Sequence, residues 1–115
     1  MALLGLIFLW PPQASVAQED RGARVIVDGL EFPTGIAFSS SGDMYVNERP
    51  GRIRVVRDGE VMAEPLATIP TITDGETGLL GIAIPPDEDE HPYVYVFVTD
   101  PGGETNSVQR VPIGG

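Results

Sequence analysis

From Arg24 onward the apolar positions fall in short runs separated by turn residues. Arg24–Asp28 (RVIVD) is rich in β-formers and predicts a first strand. Gly29–Thr34 reads as a turn, because Pro33 has no N–H to give to a central ladder. Gly35–Ser39 (GIAFS) is nearly all apolar and predicts a short strand buried on both faces. Ser40–Asp43 is a hairpin turn by composition, and Met44–Glu48 (MYVNE) returns as the next strand. Pro50-Gly51 turns the chain again. Arg52–Arg57 (RIRVVR) alternates in part, and Asp58-Gly59 is the strongest short-range hairpin signal in the chain. Glu60–Ile69 holds a fourth, Pro-interrupted strand suited to a sheet edge.

The pattern then starts again. Gly81-Ile82-Ala83-Ile84 repeats Gly35-Ile36-Ala37-Phe38 after 46 residues, and Tyr95-Val96 repeats Tyr45-Val46 after 50. Tyr93–Thr99 (YVYVFVT) stands where Met44–Glu48 stood, and Arg110-Val111 in Ser107–Ile113 weakly echoes Arg54-Val55. A four-stranded unit recurring at roughly 40–50 residues is the signature of a β-propeller blade. The expected fold class is therefore all-β, with about one and three-quarter blades of four antiparallel strands. A propeller has about 4–8 blades, and repeat units need at least about three to cover their apolar faces. The chain is thus expected to be the front of a longer protein, and Ile113-Gly114-Gly115 reads as a cut inside a blade.

Composition narrows the function. The 115 residues carry a formal net charge of −10, all seven basic residues are Arg, and four of those lie between 49 and 57. A nucleic-acid partner is not expected on this ground, since neutralising phosphates requires a basic face. There is no Cys, hence no disulfide and no thiolate metal site. Residues 2–10 (ALLGLIFLW) are apolar but too short for a bilayer span of about 20 residues. Ser15 and Ala17 fit a signal-peptidase site before Gln18, although no Lys or Arg precedes the apolar run. Residues 1–17 are expected to be a signal peptide, residues 18–115 the truncated propeller, and the protein exported to the periplasm or the exterior. No P-loop, Rossmann fingerprint, zinc motif or nucleophile elbow is present.

Three stretches together resemble one known family: GLEFPTGIAFSSSGDMYVNERPGRIRVVRDG (29–59), GETGLLGIAIPPD (75–87) and YVYVFVT (93–99). They are similar to the opening of the soluble glucose/sorbosone dehydrogenases, which include the PQQ-dependent aldose sugar dehydrogenases. The resemblance covers about residues 24–111. It implies a six-bladed β-propeller, PQQ and calcium as cofactors, and oxidation of a sugar's anomeric C–OH to a lactone. It also implies a sugar substrate and an electron acceptor as partners. In the glucose-dehydrogenase branch the position matching Glu76 is a Gln beside the cofactor, so Glu76 is a departure. A carboxylate there accepts a hydrogen bond but repels a PQQ carboxylate unless a basic partner intervenes. The family's catalytic His and main calcium ligands lie beyond the region covered, so no catalytic and no metal residue is assigned. The first rivals are a non-catalytic secreted propeller and a calcium-dependent, lactonase-like propeller.

The candidate cofactor-binding residues are Asp74, Gly75 and Glu76, in the acidic, glycine-punctuated turn before the apolar run at Leu79. Glycines there let backbone approach a flat group closely; a plain β-turn whose Asp and Gly serve geometry is the alternative. Asp87–Glu90 (DEDE) has the composition of a hard-cation site but lacks the Gly-hinged spacing of a formed loop, and reads as solvated. His91 reads as a solvated loop residue. Asn47-Glu48-Arg49, at a strand end, is expected to form a structural ion pair that closes the blade.

Overall fold

The computed structural model describes residues 22–114. Its strands are β1 (Pro33–Phe38), β2 (Met44–Glu48), β3 (Arg52–Arg57), β4 (Glu60–Val61), β5 (Ala67–Thr68), β6 (Leu79–Ala83), β7 (Tyr93–Thr99) and β8 (Asn106–Pro112). They form two antiparallel sheets. The first runs β1-β2-β3-β4, with β5 also paired to β3; the second runs β6-β7-β8.

Turn chemistry sets this order. Asp58 (φ 53°) and Gly59 (φ 80°) both lie at positive φ, as a two-residue primed turn between β3 and β4 requires. Pro33 opens β1 at the rim of its sheet, where its missing N–H costs no central bond. The fourth strand is broken in two at its proline. β4 pairs with Val56 and Arg57, and β5 pairs with Arg52 and Ile53. Between them Met62 N–H still donates to Val55 O (2.8 Å) and Leu66 N–H to Ile53 O (2.7 Å).

The repeat read from the sequence is a repeat of ladder pairs. Ile36↔Val46 and Ala37↔Tyr45 in the first sheet recur as Ile82↔Val96 and Ala83↔Tyr95 in the second. Both innermost strands also break register at the same place, between Pro33 and Gly35 and between Leu79 and Gly81. The sheets pack face to face. Gly35 of β1 abuts β6 so closely that a Cβ there would lie 3.2 Å from Ile82 Cγ2. Tyr45, Ile53, Val55, Ile69, Leu79, Val94, Val96 and Val98 fill the space between the sheets. Ile53, Leu79, Val94 and Val98 have no exposed surface. Burying each such side chain is worth about 1.5–3 kcal/mol, so this seam holds the pair together.

Three expectations are corrected. Arg24–Asp28 is not a strand: it runs without a ladder partner among the described residues, leaving Val25 and Ile26 exposed. Gly35–Ser39 is not buried on both faces. Only the β6 side is covered, so Ile36 and Phe38 remain 54% and 65% exposed on the other. The echo of Arg54-Val55 in Arg110-Val111 is out of step by one residue. Val46 faces Arg54 whereas Val96 faces Gln109.

The bare side of β1 and β2 forms a hollow of ≈ 520 Å³ lined by Ile26, Val27, Leu30, Ile36, Phe38 and Met44, among others. A second open apolar face carries Phe97 and Val108 on β7 and β8. The expected signal peptide lies outside the described residues. Among the described residues no helix is long and apolar enough to cross a membrane.

Candidate functional site

The last two residues of β2, Asn47 and Glu48, and Arg49 just after it are polar, and each goes to a different place. Asn47 is fully buried and donates through Nδ2 to Gly81 O on β6 (2.7 Å). Glu48 is also fully buried. Its Oε2 accepts from Glu31 N–H (2.6 Å). Its Oε1 lies 3.0 Å from Arg52 Nε and 3.5 Å from Arg54 Nη1, ion contacts without the alignment of a hydrogen bond. The hairpin register explains the pairing, since Glu48 stands opposite Arg52. The ion pair expected at this strand end therefore exists, but across the hairpin. Arg49 takes no part in it.

Arg49 instead reaches the turn that precedes β6. Nε donates to Thr77 O (2.7 Å), and Nη2 donates to Thr73 O (2.7 Å) and to Gly75 O. Its backbone joins in, with Arg49 O accepting from Leu79 N–H (3.0 Å) and Arg49 N–H donating to Phe32 O (2.9 Å). The guanidinium also sits 5.0 Å from the centre of the Phe32 ring. Gly78 makes this approach possible. Its φ is +132°, and a Cβ would fall 2.6 Å from Arg49 Cγ and 2.8 Å from Arg49 O. Its N–H is held by Thr99 Oγ1 (3.1 Å).

The three candidate cofactor-binding residues ride on this turn. Asp74, Gly75 and Glu76 are all exposed. Nothing lies within 4 Å of where a Gly75 Cβ would be, so the backbone there is open to close approach. Thr77 closes the turn: its N–H (3.2 Å) and its hydroxyl (2.6 Å) both donate to Asp74 O. Beside it, Glu31, Phe32, Arg49, Pro50 and Thr73 line a cleft of ≈ 240 Å³. Sequence reasoning placed the turn but missed Arg49 as its anchor. The available signal was a basic residue at a strand end, one rung beyond the paired Glu48.

The acidic run has a structural occupation. Glu88 accepts from the Ser39 hydroxyl and from Ser40 N–H (2.8 Å). These bonds favour its charged form and lower its pKa, Ser39 contributing most. Asp87 lies 2.9 Å from His91 Nδ1, an exposed pair. Among the described residues no three His, Cys, Asp or Glu side chains converge as a metal site.

The family model for Glucose / Sorbosone dehydrogenase matches residues 30–113. Quinoprotein glucose dehydrogenase B of Acinetobacter calcoaceticus is 30% identical over 96 residues, covering 79% of this chain and 20% of that protein. Among solved structures, a Thermus thermophilus protein assigned as an oxidoreductase (glucose dehydrogenase) is 41% identical. It has a TM-score of 0.70 and covers 77% of this chain and 26% of its own. The PQQ-bound aldose sugar dehydrogenase of Streptomyces coelicolor is 32% identical with a TM-score of 0.66, covering 76% of this chain and 26% of its own. The chain thus spans about a fifth of the length of the curated relatives it matches. The two sheets are successive blades of the β-propeller common to these enzymes. The match over residues 30–113, the repeated ladder and the shared fold place this chain in the glucose/sorbosone dehydrogenase family of oxidoreductases.

Proposed function

We propose that these residues form two adjacent blades of a PQQ-dependent dehydrogenase that oxidises the anomeric C–OH of an aldose to a lactone. In this reading the Thr73–Gly78 turn is one wall of the cofactor site. The observation that carries it is the turn itself: exposed at Asp74–Glu76, free of side chain at Gly75, and backed by the Arg49 guanidinium. A flat, polyanionic quinone needs close backbone approach and a cation nearby. Gly75 gives the first, and the Arg49 guanidinium, held on the carbonyls of Thr73, Gly75 and Thr77, puts a positive charge behind the turn. The described residues therefore fit PQQ as one wall of its site.

Bound PQQ supplies the hydride acceptor. This chain's own residues then bind and orient. Gly75 would leave room for the flat group, Glu76 would offer a hydrogen-bond acceptor, and Asp74 keeps the turn closed through its carbonyl. Among the described residues no three His, Cys, Asp or Glu side chains come together, and the resemblance puts the general base beyond the region covered, so neither the metal nor the base is assigned to them. A sugar substrate, a separate electron acceptor and export to the periplasm or the exterior complete the proposal.

The open faces at Phe38 and Phe97 bear on activity. In a complete propeller neighbouring blades cover such faces. Residues 18–115 alone are accordingly expected to give no PQQ-dependent turnover in a glucose–dye assay. The direct test is titration of the complete protein with PQQ, followed by the quinone absorbance. A saturable shift that weakens in Glu76→Ala is expected. An unchanged spectrum sinks the proposal and leaves a non-catalytic or lactonase-like propeller.

A further inference from the structure

The sequence left Arg49 as part of an ion pair, and the structure gives that pair to Arg52 and Arg54. Arg49 must then be explained by what it touches. One guanidinium satisfies three carbonyls of a single six-residue turn, those of Thr73, Gly75 and Thr77. The main chain on either side of the same residue is fixed to Phe32 and Leu79. Gly78 is held at positive φ directly against its stem. A plain turn needs no such anchor, because one carbonyl–amide bond closes it. Three carbonyls from alternate residues instead set the direction of three of the five peptide planes in the turn.

We infer that Arg49 is a positioning residue: it fixes the conformation in which Asp74, Gly75 and Glu76 are presented to a planar anionic quinone. The inference rests on the cofactor reading above and deepens it. Arg49 commits Nε and Nη2 to the carbonyls of the turn, so it acts through the turn. Its planar fork is the feature that matters. A Lys keeps the charge but offers a single ammonium, which cannot hold three carbonyls spread along a turn.

The test uses Arg49→Lys and Arg49→Met in the complete protein, with two readouts. Amide hydrogen exchange at Thr77, Gly78 and Leu79 reports the grip, and exchange at Val46 and Val96 serves as the folding control. The dissociation constant for PQQ, from quinone absorbance, reports the consequence. In Arg49→Lys, exchange at 77–79 is expected to accelerate while Val46 and Val96 stay protected. The PQQ dissociation constant is expected to rise about tenfold or more, the effect of a misplaced contact. If Arg49→Lys matches the wild type in both readouts, charge alone suffices and positioning is overturned. Loosened amides with PQQ affinity within about twofold also overturn it, because the turn's geometry would then not govern binding. If Arg49→Met fails to fold, Arg49→Lys, which retains the aliphatic stem, decides alone. A wild type that does not bind PQQ overturns the cofactor reading and the presentation argument with it. The exchange data then still separate that failure from a failure of the Arg49 grip.

Discussion

Glu48 and Val98 stand on the same rung of the two repeated ladders. Glu48 pairs with Pro33 and Val98 with Leu79, at the register break in each blade. Both side chains are 0% exposed. One is a carboxylate and the other a hydrocarbon, on the same backbone. The second blade fills the position by packing Val98 into the seam with Leu79 and Val96. The first fills it with a charge, which is tolerated because Glu31 N–H, Arg52 and Arg54 surround it. The next rung differs in the same sense. Arg49 N–H donates to Phe32 O, and Thr99 N–H donates to Gly78 O in the equivalent place. The Thr99 side chain stays within its own blade, on Gly78 and Asn106. The Arg49 side chain crosses to the turn of its neighbour. The blade scaffold is thus held by apolar packing; of the two polar rungs, Glu48 ties its own blade together and Arg49 grips the loop of the next.

The largest expected effect comes from moving the charge without its partners. Val98→Glu in the complete protein buries a carboxylate among aliphatic side chains, and should cost about 3–5 kcal/mol or more. Urea unfolding or loss of soluble yield measures it. A cost below about 1 kcal/mol would mean that this rung accepts charge in either blade, and the contrast would fail. The reverse exchange is expected to be somewhat milder. Glu48→Val takes the acceptor from Glu31 N–H and the counter-charge from Arg52 and Arg54, for about 2–4 kcal/mol. Glu48→Gln keeps an acceptor for Glu31 N–H and should fall between Glu48→Val and wild type in the same unfolding assay.

A smaller and more local effect is expected at Gly78. Gly78→Ala strains a residue at φ +132° and drives a methyl into Arg49 Cγ and O. The strain amounts to about 1–3 kcal/mol. Phe32, its counterpart in the first blade, already holds a positive φ of 50° with a side chain in place. Loss should appear in thermal unfolding of the complete protein together with weakened PQQ binding. Lost stability with unchanged PQQ binding would show that the site tolerates displacement of the Arg49 stem.

The same contrast explains what was legible in the sequence. The ladder was legible because apolar and small residues recur where two blades use identical geometry, as in Gly-Ile-Ala at 35–37 and 81–83. The primed turn at Asp58-Gly59 was legible because few residues adopt positive φ at both positions. The candidate turn was legible from its glycines and from the family motif. Arg49 was not, since its partners are backbone carbonyls some 24 to 28 residues away and leave no side-chain signature. Ile36 and Phe38 misled for a different reason. Their apolar pattern records a face of the assembled propeller, whereas the described residues cover only one side. Arg24–Asp28 misled because β-propensity describes a residue's fit to a sheet surface, and among the described residues no strand pairs with it.

The smallest expected effect concerns a second grip between the blades, in the opposite direction. The link from β1 to β2 is a short turn, in which Gly42 N–H donates to Ser39 O (3.0 Å). The β6–β7 link is longer, and its Glu88 reaches back to Ser39 and Ser40 of the first blade. Those bonds hold Glu88 below its ordinary value of 4.5. A carboxylate depressed in the folded state stabilises the fold above its unfolded pKa, and that contribution fades as pH falls through the folded value. Glu88→Gln should therefore lower the melting temperature at pH 7 by a few degrees at most. The two proteins should converge as the pH falls below the depressed Glu88 value, where both side chains are neutral. Val98→Glu gives the opposite pH trend, because protonation relieves its unpaired charge. If the Glu88→Gln difference instead persists unchanged at low pH, the carboxylate's charge is not what joins the two loops, and the blades are held by the apolar seam, Arg49 and the Asn47–Gly81 bond.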